Sequence, residues 1–449
     1  FIVPSGPKAK PQICISSPLT TNLWVIHGVE FDLSDFVQRH PGGVEAIELG
    51  RGRDCTAMFE SYHPFTDKHW DILVKYAPPD VDMKQLKLAS TDPFYESLKR
   101  RAYDLLRQNG VNPESHRGAT TGRAIYYLLI FIGLLISAGF HVKGYLVGSF
   151  VFSIFAWLIG ALGHDAGHRA VSRKAWINDV CLWGISTLCN PIMWQHQHTF
   201  AHHSHTNDFH QDPDLHHFQR LLRVHQRFKY ESIYAYQRNR IYVIFSYALV
   251  VFGTCLWIPI QFLRDGTLYG IVDFTNKNSL QARVSSLAHV VGYTSIILIA
   301  PFFHVGALKA TACGVIHMAT AGLLFAFFSQ INHVNEVSFS RQAIVLPDSK
   351  PDISSSNTDT RGSSWAMNQI LSSNNFASSS LFWHIFSNGL NMQIEHHLFP
   401  GLNHCHLHLV KRAVEDTCRE HSLEYKEYES FGLIFEATME WLDVLSKPS

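Results

Sequence analysis

Between Arg123 and Asp165 the chain carries a single formal charge, Lys143. A run this long and this free of charge belongs in lipid, where every backbone polar group must be paired within the segment and an ionised side chain is expensive. The sequence Gly139-Phe140-His141-Val142-Lys143-Gly144 splits it into spans at about 125–140 and 145–163. Each is near the ~17–25 residues that a hydrocarbon core requires. Three more uncharged stretches follow, at 241–263, 284–308 and 310–335. Five in one chain specify an all-α body that crosses a membrane several times. The balance of 37 basic and 37 acidic residues gives no nucleic-acid partner a footprint. The eight cysteines form no C-x-x-C pair, so neither a zinc ribbon nor a disulfide framework is expected. The first thirty residues lack the apolar core and cleavage site of a secretory signal.

Histidines gather at the edges of these stretches. The clusters are His164-Asp165-Ala166-Gly167-His168, His198-Thr199-Phe200-Ala201-His202-His203 and Gln393-Ile394-Glu395-His396-His397. Neutral imidazole is a ligand for first-row metals. Residues four apart share a helix face, so each of the pairs 164/168 and 198/202 can serve one metal or two. His396 and His397 diverge by about 100° around a helix and can reach different metals. His333, just past the last apolar stretch, is a further candidate. Asp165, Asp212 and Glu395 are expected to accept the second N–H of ligating imidazoles. His196, His205 and His210 read as surplus, and His304 and His317 fall outside the set.

One metal site needs all three clusters on one side of the membrane. Spans 125–140 and 145–163 then form a hairpin, 284–305 and 310–331 form another, and 241–263 is interfacial, interrupted by Pro259. The loop 164–240 holds Arg169, Arg173, Lys174, Arg220, Arg223, Arg227, Lys229, Arg238 and Arg240, against Lys143 and Lys309 on the opposite connections. The positive-inside rule makes the histidine side and both termini cytosolic.

Ahead of the spans, Trp24 to Leu33 alternates like a strand hairpin turning at His27-Gly28. A helix ending at His40-Pro41-Gly42-Gly43 leaves His40 projecting from a tight turn, and His63 follows Phe59-Glu60-Ser61-Tyr62. His-Pro-Gly-Gly with a second histidine at this distance resembles cytochrome b5. The resemblance implies heme b held by His40 and His63, closed to oxygen and suited to electron transfer. Residues 1–17 are a tail, 18–92 this domain and a linker opening at Pro78-Pro79, and 93–449 the membrane body. The amphipathic stretch 93–110 reads as a membrane-surface helix, and the Ser-rich stretch 338–363 as a disordered insertion.

The pattern His-Asp-x-x-His, His-x-x-x-His-His and Gln-x-x-His-His, with Leu390-Asn391-Met392 before the third box and Leu398-Phe399-Pro400 after it, resembles the membrane fatty acyl desaturases. The fused heme domain and the glutamine opening the third box resemble their front-end subgroup. This likeness spans about 18–430. It implies an N-terminal α+β cytochrome b5-like heme domain, then an all-α integral membrane desaturase body with four transmembrane helices and a cytosolic helical cap. It implies two non-heme irons on His164, His168, His198, His202, His203, His396 and His397, with His333 as an additional ligand. Gln393 stands where many relatives have histidine, to ligate weakly, act through water or orient a neighbour. O2 is the implied co-substrate, with electrons from NADH through NADH-cytochrome b5 reductase. The substrate is a fatty acyl-CoA or phospholipid-linked acyl chain, in the endoplasmic reticulum membrane. Trp157, Trp183, Trp194 and Phe325 are candidate tunnel residues. A sphingolipid long-chain-base desaturase, a fatty acid hydroxylase and a non-enzymatic membrane heme protein share parts of this pattern.

Overall fold

A computed structural model describes residues 22–115, 117–274, 279–339 and 364–448. The tail 1–17 and nearly all of the expected insertion 338–363 lie outside the described residues. In the N-terminal unit Trp24–Ile26 pairs antiparallel with Val29–Phe31, Trp24 opposite Phe31. His27 and Gly28 join them at φ 50° and 76°, the left-handed pair that matches the twist of a two-residue hairpin. Trp24, Ile26, Phe31 and Leu33 are buried in its core. The expected linker 78–92 is partly structured. Asp82 accepts from the N–H groups of Lys84 and Gln85 and starts helix Met83–Ala89, which places Met83 in that same core.

Five helices of the body are long and apolar enough to cross a membrane: Thr121–Val142, Leu146–Gly167, Arg240–Asp265, Leu280–Phe303 and Ala307–Gln330. The first turns Leu128, Leu129, Leu135 and Ile136 outward, the apolar surface that lipid solvates. Inside the bundle, His141 meets Ser149 Oγ at 2.9 Å and Ile297 O at 3.1 Å. That one imidazole therefore ties the first, second and fourth of these helices together.

Two expectations are corrected. Pro259 does not interrupt the third helix. The backbone widens into a π turn at Gly253–Trp257 and continues as Ile258–Asp265. Proline lacks an N–H, and loosened winding just ahead of it accommodates the missing bond. Nor does the amphipathic helix Pro93–Gln108 face lipid. Asp92 caps it, and its stripe of Phe94, Leu98, Ala102 and Leu106 packs on Leu407, Val410, Ala413 and Val414 of helix Leu407–Glu420. Both helices have one apolar face, and burying the two against each other removes both from water.

Candidate metal centres

His40 closes a 3-10 turn at Val37–Arg39, and His63 closes helix Thr56–Tyr62. His40 Nδ1 lies 3.2 Å from Gly43 O, and His63 Nδ1 lies 2.7 Å from Phe59 O. Each imidazole so donates through Nδ1 and keeps its Nε2 lone pair. The ring centroids are 6.3 Å apart, the separation given by metal–imidazole bonds of about 2 Å on both faces of one metal. A Cβ on Gly42 would sit 2.9 Å from His40 Cε1, so glycine there leaves the ring its place. Burial lowers the pKa of both, His63 to about 3, as neutral ligands require.

The body's histidines converge as two neighbouring buried groups. His164, His168, His198 and His396 form one, and His202, His333 and His397 the other, with ligand atoms inside each group within 4.8 Å of one another. Four stretches of chain supply them. The second apolar helix ends at His164 and His168. Residues 195–202 wind as a π turn, which sends His198 and His202 to different groups although they are four apart. His333 follows the fifth apolar helix, and helix Gln393–Leu398 sends His396 and His397 to different groups. His203 lies between the groups, its Nε2 3.2 Å from His198 Nε2 and its ring stacked 4.3 Å from that of His397. Gly167 makes room nearby, since a Cβ there would lie 2.3 Å from Trp194, whose ring stacks on His198 at 4.7 Å.

Most of these imidazoles are anchored through Nδ1. His202 meets Asp212 Oδ2 at 3.0 Å, His333 meets Ser372 O at 3.0 Å, and His397 meets Gln369 Oε1 at 2.7 Å. His198 meets Asp214 Oδ2 at 3.3 Å, and His168 meets the Tyr62 hydroxyl at 2.6 Å. Anchoring Nδ1–H fixes the tautomer and aims the Nε2 lone pair inward. Nε2 of His168 and of His396 is buried with no protein partner, a costly arrangement that a bound cation relieves. Burial, reinforced by neighbouring imidazoles, holds His168, His203, His396 and His397 well below the usual histidine range. At His202 burial also pushes down, but Asp212 and Asp214 outweigh it and raise the pKa to about 9.

Several side chains stand elsewhere than their place in the sequence suggests. Glu395 does not touch an imidazole; its carboxylate accepts from Asn375 at 2.7 Å and Tyr425 at 2.8 Å. Asp165 reaches none of the expected ligands by hydrogen bond. Its Oδ1 lies 3.0 Å from Nδ1 of His404, whose Nε2 lies 3.2 Å from His396 Nδ1. His404 and Asp214 were missed, though both follow motif residues closely: His404 stands four past Pro400 and Asp214 two past Asp212. Gln393 contacts the second group, its amide nitrogen 2.9 Å from His333 Nε2 and 3.1 Å from His397 Nε2. His196, outside both groups, accepts from Arg53 at 3.0 Å. Trp194 and Phe325 line a small cavity with Cys189, Asn190, Met193 and Thr254. Trp183 is 41% exposed and Trp157 is bonded to Phe386 O, so neither belongs to that cavity's wall.

A heme-type unit docked on an apolar helical body with buried imidazole groups defines a membrane redox enzyme. Residues 140–429 match the fatty acid desaturase family, and residues 19–88 match the cytochrome b5-like heme/steroid binding domain. The chain belongs to the fatty acid desaturase family, with a cytochrome b5-like domain fused at its N-terminal side. The fused domain implies a heme, and the family implies iron. The chain is 26% identical to Delta(5) fatty acid desaturase A of Dictyostelium discoideum, over 94% of this chain and 90% of that protein. It is 28% identical to an acyl-lipid (8-3)-desaturase of Physcomitrium patens, over 91% and 84%. It is 25% identical to an acyl-lipid omega-13 desaturase of Chlamydomonas reinhardtii, over 94% and 93%. No solved structure matches.

Proposed function

We propose that this protein is a front-end desaturase that inserts a cis double bond into a long-chain, already unsaturated fatty acyl chain. The observation that carries the reading is the pair of buried imidazole groups, of four and three members, with His203 between them. Two irons held there would supply the oxidising power for acyl chain + O2 + 2 electrons + 2 protons → cis-alkene + 2 water. His164, His168, His198 and His396 would hold one, His202, His333 and His397 the other, and His203 would serve between them. Gln393 brings its carboxamide to the ligand face of the second group, beside Nε2 of His333 and His397. His40 and His63 would hold a heme, which would supply the electrons singly, and fusion to the body raises its effective concentration at the iron site. The electrons come from NADH through NADH-cytochrome b5 reductase.

The contacts of the third apolar helix support four crossings rather than five. Near its start, Arg240 is paired with Glu436 at 2.5 Å. Just past its end, the Tyr269 hydroxyl lies 2.9 Å from His217 Nδ1 and the Phe274 ring 4.5 Å from that of His196. Its flanks thus bond to elements on the histidine side, as an in-plane helix requires. The basic loop 164–240 supports a cytosolic histidine side with both termini on it, and the endoplasmic reticulum is the membrane that the family resemblance implies. The relatives named acyl-lipid desaturases favour a lipid-linked substrate over acyl-CoA.

Yeast expressing the chain and fed C18, C20 and C22 polyunsaturated acids should gain a new cis double bond by gas chromatography–mass spectrometry. A hydroxylated product would make it a hydroxylase, and a desaturated long-chain base a sphingolipid enzyme. No new lipid at all would sink the reading.

A further inference from the structure

The heme unit meets the body through one contact that joins the two redox sites. Tyr62 is adjacent in the chain to His63. Its hydroxyl lies 2.6 Å from Nδ1 of His168, and the two rings are nearly parallel at 16° with centroids 6.3 Å apart. The unpaired Nε2 of His168 faces the first imidazole group, so Nδ1 carries the proton and donates to the Tyr62 oxygen. Arg117 donates to the Tyr62 carbonyl at 3.0 Å and holds this point of the helix end against the body. A second polar contact at this junction, Arg53 with His196, leads to a histidine outside both groups.

We propose that Tyr62 is the bridge through which the heme domain passes electrons to the iron site, along His63, the 62–63 backbone, the Tyr62 ring and the hydrogen bond to His168. This rests on the functional reading above and adds a route to it. In each transfer the heme goes from ferrous to ferric and iron bound at His168 gains that one electron. No bond is made or broken, and Tyr62 keeps its proton. Tyr62 is a positioning residue: it acts through His168 and does not touch the substrate.

The test is Tyr62→Phe in the full chain, which keeps the ring and its packing but removes the oxygen. The heme is reduced, the protein is mixed with O2 and acyl substrate, and heme reoxidation is followed by stopped-flow absorbance, with heme spectrum and iron content measured in parallel. The expected result is unchanged heme and iron content with reoxidation slowed roughly 10–100-fold. Wild-type reoxidation rates in the variant would overturn the bridge. Loss of iron in proportion to the slowing would also overturn it, leaving Tyr62 as a support for His168 alone. If wild-type heme itself fails to reoxidise with substrate, the donor role of the fused domain falls, and the bridge with it.

Discussion

His404 shows how a residue outside the three motifs can set a site. Nε2 of His396 is the atom left for metal, so its Nδ1–H donates to His404 Nε2, and the His404 proton then stands on Nδ1, 3.0 Å from the Asp165 carboxylate. Gly389, at φ 85° and without a Cβ that would lie 2.8 Å from the His404 ring, gives the imidazole its place. His404→Ala should weaken iron binding by about 10–100-fold, read as metal content after dialysis. His404→Gln, whose carbonyl can accept from His396, should restore much of it; equal loss in both would show that packing rather than the hydrogen bond matters. The non-heme ligand candidates were legible in the sequence, all but His333 because three compact motifs hold them. His404, Asp214 and Tyr62 were not, because their contacts with the clusters are made only by folding. Glu395 misled for the same reason: adjacency to His396 in the chain turned its carboxylate toward Asn375 and Tyr425 instead.

Helix Pro93–Gln108 illustrates the limit at the next scale. Its spacing of apolar residues declared that one face is buried, and that was right. A stripe does not say whether lipid or protein covers it, and the partner stripe on Leu407–Glu420 lies about three hundred residues away in the chain. Leu98 is fully buried in that seam. Leu98→Ala should cost about 2–5 kcal/mol of stability, seen as a lowered thermal midpoint in detergent. A change within error would mean that the seam opens onto lipid after all. The third apolar helix carries the same lesson for proline: Pro259 was visible, but the π turn that absorbs it is a property of the wound backbone.

At the level of the whole molecule, the architecture was readable as a heme unit followed by a membrane body, yet the docking between them was not. Arg53 is central to it. It donates to His196 and to Asp273 O at 3.0 Å each, with its guanidinium 4.8 Å from the Phe200 ring centroid. Nothing in the spacing of these residues announces the contact. Arg53→Ala should loosen the unit by about 1–3 kcal/mol, the cost of leaving buried partners unpaired. Amide exchange in Thr56–Tyr62 should then speed up while the heme absorbance stays intact. Unchanged exchange would show that Arg53 does not hold the interface.

The π turn at Gln195–His202 also constrains how this chain can change over generations. Such a turn is an α-helix with one surplus residue wound into it. Removing any single residue from the stretch would relax it to ordinary helix and rotate His198 or His202 away from its own group. Substitutions at Thr199 to Ala201 leave the backbone count intact, whereas a one-residue deletion yields a more regular helix with a misassembled centre. The length of this segment therefore matters more to the assembly of the centre than the identity of its intervening side chains.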